Sequence, residues 1–118
     1  MKQLLIICSM ILVPFLMSAK EFNIDKKIKD QHGCEWHLTG TIDVGWGGLN
    51  SYNITAVDCH GKKYIFKGTA MAPDGDNTDP NLNEGYNNDI QTLNGAEPTM
   101  EEIQFVYSAI VEIYHQTE

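Results

Sequence analysis

No arginine occurs anywhere in the chain. Its eight basic residues are all lysines, set against sixteen carboxylates for a net charge of −8. Surfaces that bind nucleic acid or anionic membranes need clustered positive charge, so both are poor partners, and a basic protein partner is favoured electrostatically. The spacings that carry common chemistry are missing as well. There is no GxSxG, HExxH or CxxC, no phosphate-binding glycine loop and no dinucleotide fingerprint. After residue 20 only Ser51 and Ser108 remain as serines, the first at an expected strand start and the second in an expected helix, and neither is in a nucleophile's setting. The expectation is a protein that is not an enzyme and uses no cofactor. No internal repeat is visible.

A run long enough to span a membrane is lacking too. Residues 1–19 carry Lys2, the apolar stretch LLIICSMILVPFLM broken by Pro14, and Ser18-Ala19 before charge begins at Lys20. About 15 apolar residues fall short of the roughly 20 a spanning helix needs, and the pattern is that of a secretory signal peptide. The expectation is export, to the periplasm or the medium, of a single small domain over 20–118, with no membrane attachment after cleavage. Cysteine is scarce: Cys8 leaves with the signal, and Cys34 and Cys59 remain. In an oxidising compartment these two are expected to form a disulfide that staples a modest core and leaves neither thiol for catalysis.

What is present organises around residues 34–69. In CEWHLTGTIDV the even positions Cys34, Trp36, Leu38, Ile42 and Val44 are mostly apolar and the odd ones mostly polar, the period of a half-buried strand. SYNITAVDC and KKYIFKGTA supply two further strands. Setting Cys34 opposite Cys59 pairs Trp36 with Val57, Leu38 with Thr55 and Val44 with Leu49. A two-residue His60-Gly61 turn then pairs Val57 with Tyr64 and Thr55 with Phe66. Residues 20–33 are preferred as a fourth strand, turning at Asp30–Gly33 and laying Phe22, Ile24 and Ile28 over the second face beside Ile54 and Ile65.

Residues 72–98 combine six carboxylates and no cation with many Asn, Gly and Pro, and read as a long acidic loop with room for a short helix near Asp89–Leu93. Thr99 and Glu102 form a capping-box pattern opening a helix from Met100 to about His115. Its stripe of Ile103, Val106, Tyr107, Ile110, Ile113 and Tyr114 lies opposite Glu101, Ser108 and Glu112. The expected fold is therefore α+β: a three- or four-stranded antiparallel meander with one C-terminal helix packed on one face.

Candidate binding residues are Trp46, placed at a glycine-rich hairpin tip, Phe105, which falls on the polar side of the helix, and the acidic residues Asp74, Asp76, Asp79 and Glu84. No metal site is expected. The acidic loop fails the EF-hand pattern, since Asp79 stands where the sharp-turn glycine belongs and Gly85 where the bidentate glutamate belongs. His32, Glu35, Asp58 and His60 gather at one end of the sheet but without a ligand-spacing motif. Asn53-Ile54-Thr55 matches a glycosylation acceptor, relevant only in a eukaryotic source. The functional expectation is a small exported binding protein, an inhibitor or immunity-type antagonist of a basic partner. A self-assembling structural or adhesive module is the alternative, and a hydrolase with an unrecognised site a third.

Overall fold

The computed structural model describes residues 20–71 and 77–117. Residues 1–19, read from the sequence as a signal peptide, lie outside them. The chain forms β1 (Lys20–Lys29), β2 (Glu35–Gly45), β3 (Gly48–Val57), β4 (Lys63–Ala70), β5 (Tyr86–Asn94) and the helix α1 (Met100–Gln116). The strands make one antiparallel sheet in sequence order. The class is α+β with the helix last, as expected, but the sheet has five strands. The additional one, β5, comes from the stretch read as loop. Its sequence YNNDIQTLN is polar because most of its residues are exposed, so it lacks the apolar alternation that announces a strand.

The register also differs from the sequence reading. His37 faces Val57 and Leu38 faces Ala56, while Ala56 faces Tyr64 and Ile54 faces Phe66. Both hairpins are displaced by one residue, for separate reasons. Cys34 and Cys59 are bonded with their Cα atoms 5.3 Å apart, yet a disulfide tolerates a range of about 2 Å in that distance and so does not fix a register to one residue. The expected Val44–Leu49 pair is present, but a bulge follows it: Asp43 pairs with Ser51, leaving Asn50 as the extra residue. The turn between β3 and β4 is also longer than two residues. Asp58 N–H donates to the Lys62 carbonyl, and Gly61, at φ +81°, closes a three-residue loop.

A one-residue slip moves a strand's whole side-chain set to the other face. β3 therefore buries Tyr52, Ile54 and Ala56 and turns Thr55 and Val57 outward. The two slips together displace β4 against β2 by two residues, which preserves the face. Trp36, Leu38, Tyr64 and Phe66 share the core side as expected. β1 is a strand, but Ile24 pairs with Gly40 and Phe22 with Ile42, so its apolar residues extend the core face and do not cover the other.

The helix closes that face. Thr99 Oγ1 accepts from the Glu102 N–H, and the Glu102 carboxylate accepts from the Thr99 N–H, completing the capping box. Val106, Tyr107, Ile110, Ile113 and Tyr114 are buried against the sheet, and the Tyr107 ring meets Phe66 edge-on at 5.9 Å. Thr99→Ala is expected to cost about 1 kcal/mol through loss of the cap, readable as a lower melting temperature in circular dichroism. Among the described residues no helix or strand covers the opposite face.

Both sheet edges carry features that discourage pairing with another chain. The register puts Lys26 of β1 on the core side of an otherwise Lys-rich edge strand, and β5 has a bulge at Leu93, with Lys63 paired to Asn94 and Tyr64 to Thr92.

Candidate functional site

The meander places its candidate residues at two opposite ends. At the first, β2 and β3 close with Gly45 paired to Gly48, so Trp46-Gly47 is the whole loop. A two-residue loop has nothing beneath its tip to bury an indole. Trp46 is 93% exposed, whereas the chain's other tryptophan, Trp36, is 1% exposed.

The base of this tip is held by the acidic segment. Asn77 N–H donates to the Gly47 carbonyl at 2.5 Å, and Leu49 N–H donates to the Asn77 carbonyl at 3.3 Å. Tyr86 Oη, at the far end of the same segment, donates to the Leu49 carbonyl at 2.6 Å. Burial pushes the Tyr86 phenol up to about 12, so it stays a neutral donor. Between these anchors Leu82 is buried in the core. Its carbonyl accepts from Asn88 Nδ2, Tyr52 Oη donates to Asn88 Oδ1, and Asn83 exchanges hydrogen bonds with Gln104 of α1. Residues 77–85 are thus a loop docked on the domain, and the short helix allowed for near Asp89–Leu93 is instead part of β5.

Gly48 is the residue this docking depends on. Its φ is +115°, and a Cβ there would lie 2.4 Å from the carbonyl carbon and oxygen of Asn77. Gly48→Ala is expected to cost about 1–3 kcal/mol through backbone strain and to speed hydrogen exchange at the Leu49 amide, which Asn77 protects.

Of the acidic candidates, Asp79 and Glu84 are exposed on this docked segment, Asp79 two residues beyond the Asn77 anchor. Asp74 and Asp76 lie outside the described residues. The structure therefore joins Trp46 to the acidic segment through backbone bonds that no sequence motif announces. Only the glycines flanking Trp46 hinted at a close approach.

At the opposite end, the turns before β2 and after β3 are clipped by the disulfide and overlain by the start of α1. Two aspartates organise them in the same way. Asp30 Oδ1 accepts from the N–H groups of His32 and Cys34 and its Oδ2 from Trp36 Nε1, while Asp58 Oδ1 accepts from the N–H groups of His60 and Lys62. Burial by itself would raise the Asp30 carboxyl, but the bonds from Trp36, Cys34 and His32 outweigh it and hold the group below its ordinary value. Glu102 is similar: burial raises it, and the Thr99 N–H and the Lys62 ammonium at 3.0 Å more than reverse the effect.

Phe105 belongs to this end. It does not stand free on the polar side of the helix: half-buried, it lies with its ring 5.6 Å from that of Trp36. His32 Nε2 and Gln31 Nε2 both meet Glu101 Oε1 at 2.6 Å. The four residues weighed as a cluster do not converge. His32 turns to Glu101, Asp58 caps its own turn, Glu35 pairs across to Lys29 on β1, and His60 contributes its backbone to the turn. Among the described residues no group of three or more His, Cys, Asp or Glu is placed to hold a metal ion.

Carboxylates with depressed folded values stabilise the fold fully above the ordinary carboxylate range, and that stability is lost as pH falls through the depressed values. The melting temperature should therefore drop below about pH 4, and Glu102→Gln should flatten that drop.

No protein-family model, curated protein or solved structure matches this chain. No helix among the described residues is long and apolar enough to cross a membrane.

Proposed function

We propose that the chain is a small exported binding protein, an inhibitor or immunity-type antagonist of a basic protein partner, that works by contact and without chemistry. One observation carries the reading: a tryptophan 93% exposed at the tip of a two-residue hairpin whose base is fixed by backbone bonds to an acidic segment. Leaving an indole in water forfeits the roughly 1.5–3 kcal/mol that burying a large apolar side chain contributes, while a rigid aromatic anchor ready for a partner's pocket is the residue type most enriched among binding hot spots. The acidic segment beside it, on a chain of net charge −8, favours encounter with a basic surface. The disulfide is compatible with an exported protein.

The guarded edges of β1 and β5 favour this reading over self-assembly through sheet edges. Sedimentation of the free protein over a wide concentration range should return a monomer. Affinity capture from its natural compartment should return one basic protein that binds in defined stoichiometry. A mass that climbs with concentration, with no protein captured, would replace the proposal with the self-assembling module.

A further inference from the structure

The end of the sheet away from Trp46 holds a groove of about 640 Å³ that the reading above does not use. β2 is eleven residues long, so at about 3.3 Å per residue the groove and the indole are on the order of 35 Å apart. The groove is of the size that seats a small ligand or one long side chain with its backbone, roughly 300–1,000 Å³. Its apolar lining comes from the Phe105 ring, itself tilted at 44° against Trp36, and from the disulfide at Cys34.

The acidic residues of the lining outnumber its two imidazoles, His32 and His60. Asp30, Asp58, Glu101 and Glu102 all line the groove. The nearest lysine, Lys62, is already spent: its ammonium meets both oxygens of Glu102 at 3.2 and 3.0 Å and lies 3.8 Å from Asp58. Asp30 accepts three hydrogen bonds across both oxygens, and Asp58 accepts two at Oδ1 with its Oδ2 toward Lys62, so both are engaged by their own turns. Glu101 differs. Its Oε1 is taken by Gln31 and His32, bonds that hold the carboxyl below its ordinary value, while Oε2 makes no hydrogen bond among the described residues.

An aromatic and disulfide lining beneath a negative rim is complementary to a long side chain with an apolar stem and a cationic head. Such stems lie along apolar surface while the charged end stays polar, and a cation also gains from an aromatic face. A carboxylate or phosphate ligand would meet four carboxylates and, above the ordinary imidazole range, no cation among the lining residues. We propose that this groove receives a lysine or arginine side chain presented by a polypeptide, with its stem along Phe105 and its charge at Glu101 Oε2. The inference stands apart from the role of Trp46: either can fail while the other holds.

The test is a titration of the disulfide-bonded, ¹⁵N-labelled protein at about pH 8, above the ordinary imidazole range, with acetyl-lysine methylamide and acetyl-arginine methylamide. Saturable shifts are expected at Gln31, His32, Glu101 and Phe105, weakened at least about tenfold in Glu101→Gln and severalfold by added salt. The variant should stay folded, with a melting temperature only slightly below that of the wild type, because the Glu101 contacts are exposed. Acetyl-norleucine methylamide, which keeps the stem without the charge, should leave these signals in place. Absence of saturable shifts at these residues, or equal affinity for the norleucine probe, would overturn the proposal. Tighter binding of a free diamine than of the capped amino acids would overturn its polypeptide source.

Discussion

Replacing Trp46 by alanine is expected to weaken binding of the partner by at least about 2 kcal/mol, roughly thirtyfold, while the melting temperature stays where it is. The two halves of this expectation have one cause. The indole is 93% exposed, so the folded protein alone gains almost nothing from it. The backbone bonds that hold the tip run through Gly47, Leu49 and Asn77, and none involves the indole. Removing the side chain should therefore leave the hairpin intact and subtract only contact area. Reversing charge at Asp79 and Glu84 should act differently, slowing association at low salt with little effect on dissociation, because exposed carboxylates contribute to encounter more than to contact. A variant with a lower melting temperature and unchanged affinity would make the tip structural.

Joint substitution of Cys34→Ser and Cys59→Ser is expected to lower stability by about 2–5 kcal/mol. The bond closes a loop across a sequence separation of 25 residues, for which the chain-entropy model gives about 3.5 kcal/mol. For a domain of this size each kcal/mol corresponds to about 4–8 °C, so the melting temperature should fall steeply. Local order should suffer most where the bond lies, at the turns capped by Asp30 and Asp58 and at the groove they border. Thiol titration of the native protein is the companion measurement: two free thiols in the folded protein from its natural source would remove the basis of the expectation.

The parts of this structure legible in the sequence are those with a local chemical signature. Thr99 and Glu102 mark the start of α1 because the capping box is closed within four residues. The alternation in β2 and β4 exposes their core faces for the same reason: period 2 is a property of each strand alone. The β2–β3 and β3–β4 registers were not legible, since each depends on one extra residue, Asn50 in a bulge and Cys59 in a three-residue loop, and no side chain announces it. A better clue existed in β3 itself, where Tyr52, Ile54 and Ala56 are more apolar than Ser51, Asn53 and Thr55. Pairing the cysteines obscured it.

β5 was hidden because an edge strand with few buried residues has no pattern to show. Only Tyr86 in it is buried. At the candidate sites, Trp46 was visible as an aromatic among glycines, but its coupling to Asn77 rests on main-chain bonds between segments thirty residues apart, which sequence does not encode at either end. Phe105 was visible as a misfit on the helical stripe. The structure gives the misfit a partner, because the half-buried Phe105 ring packs against Trp36 at the margin of the core.

On the proposed function, the Trp46 indole is held out in water by the free protein and covered by its partner. Acrylamide quenching separates the chain's two tryptophans, because Trp36 is buried and Trp46 is not, and subtracting the signal of Trp46→Phe isolates the tip. Quenching of the Trp46 emission is expected near that of a free indole in the monomer, with strong protection in the complex. Protection already present in the monomer, or full access persisting in the complex, would contradict it.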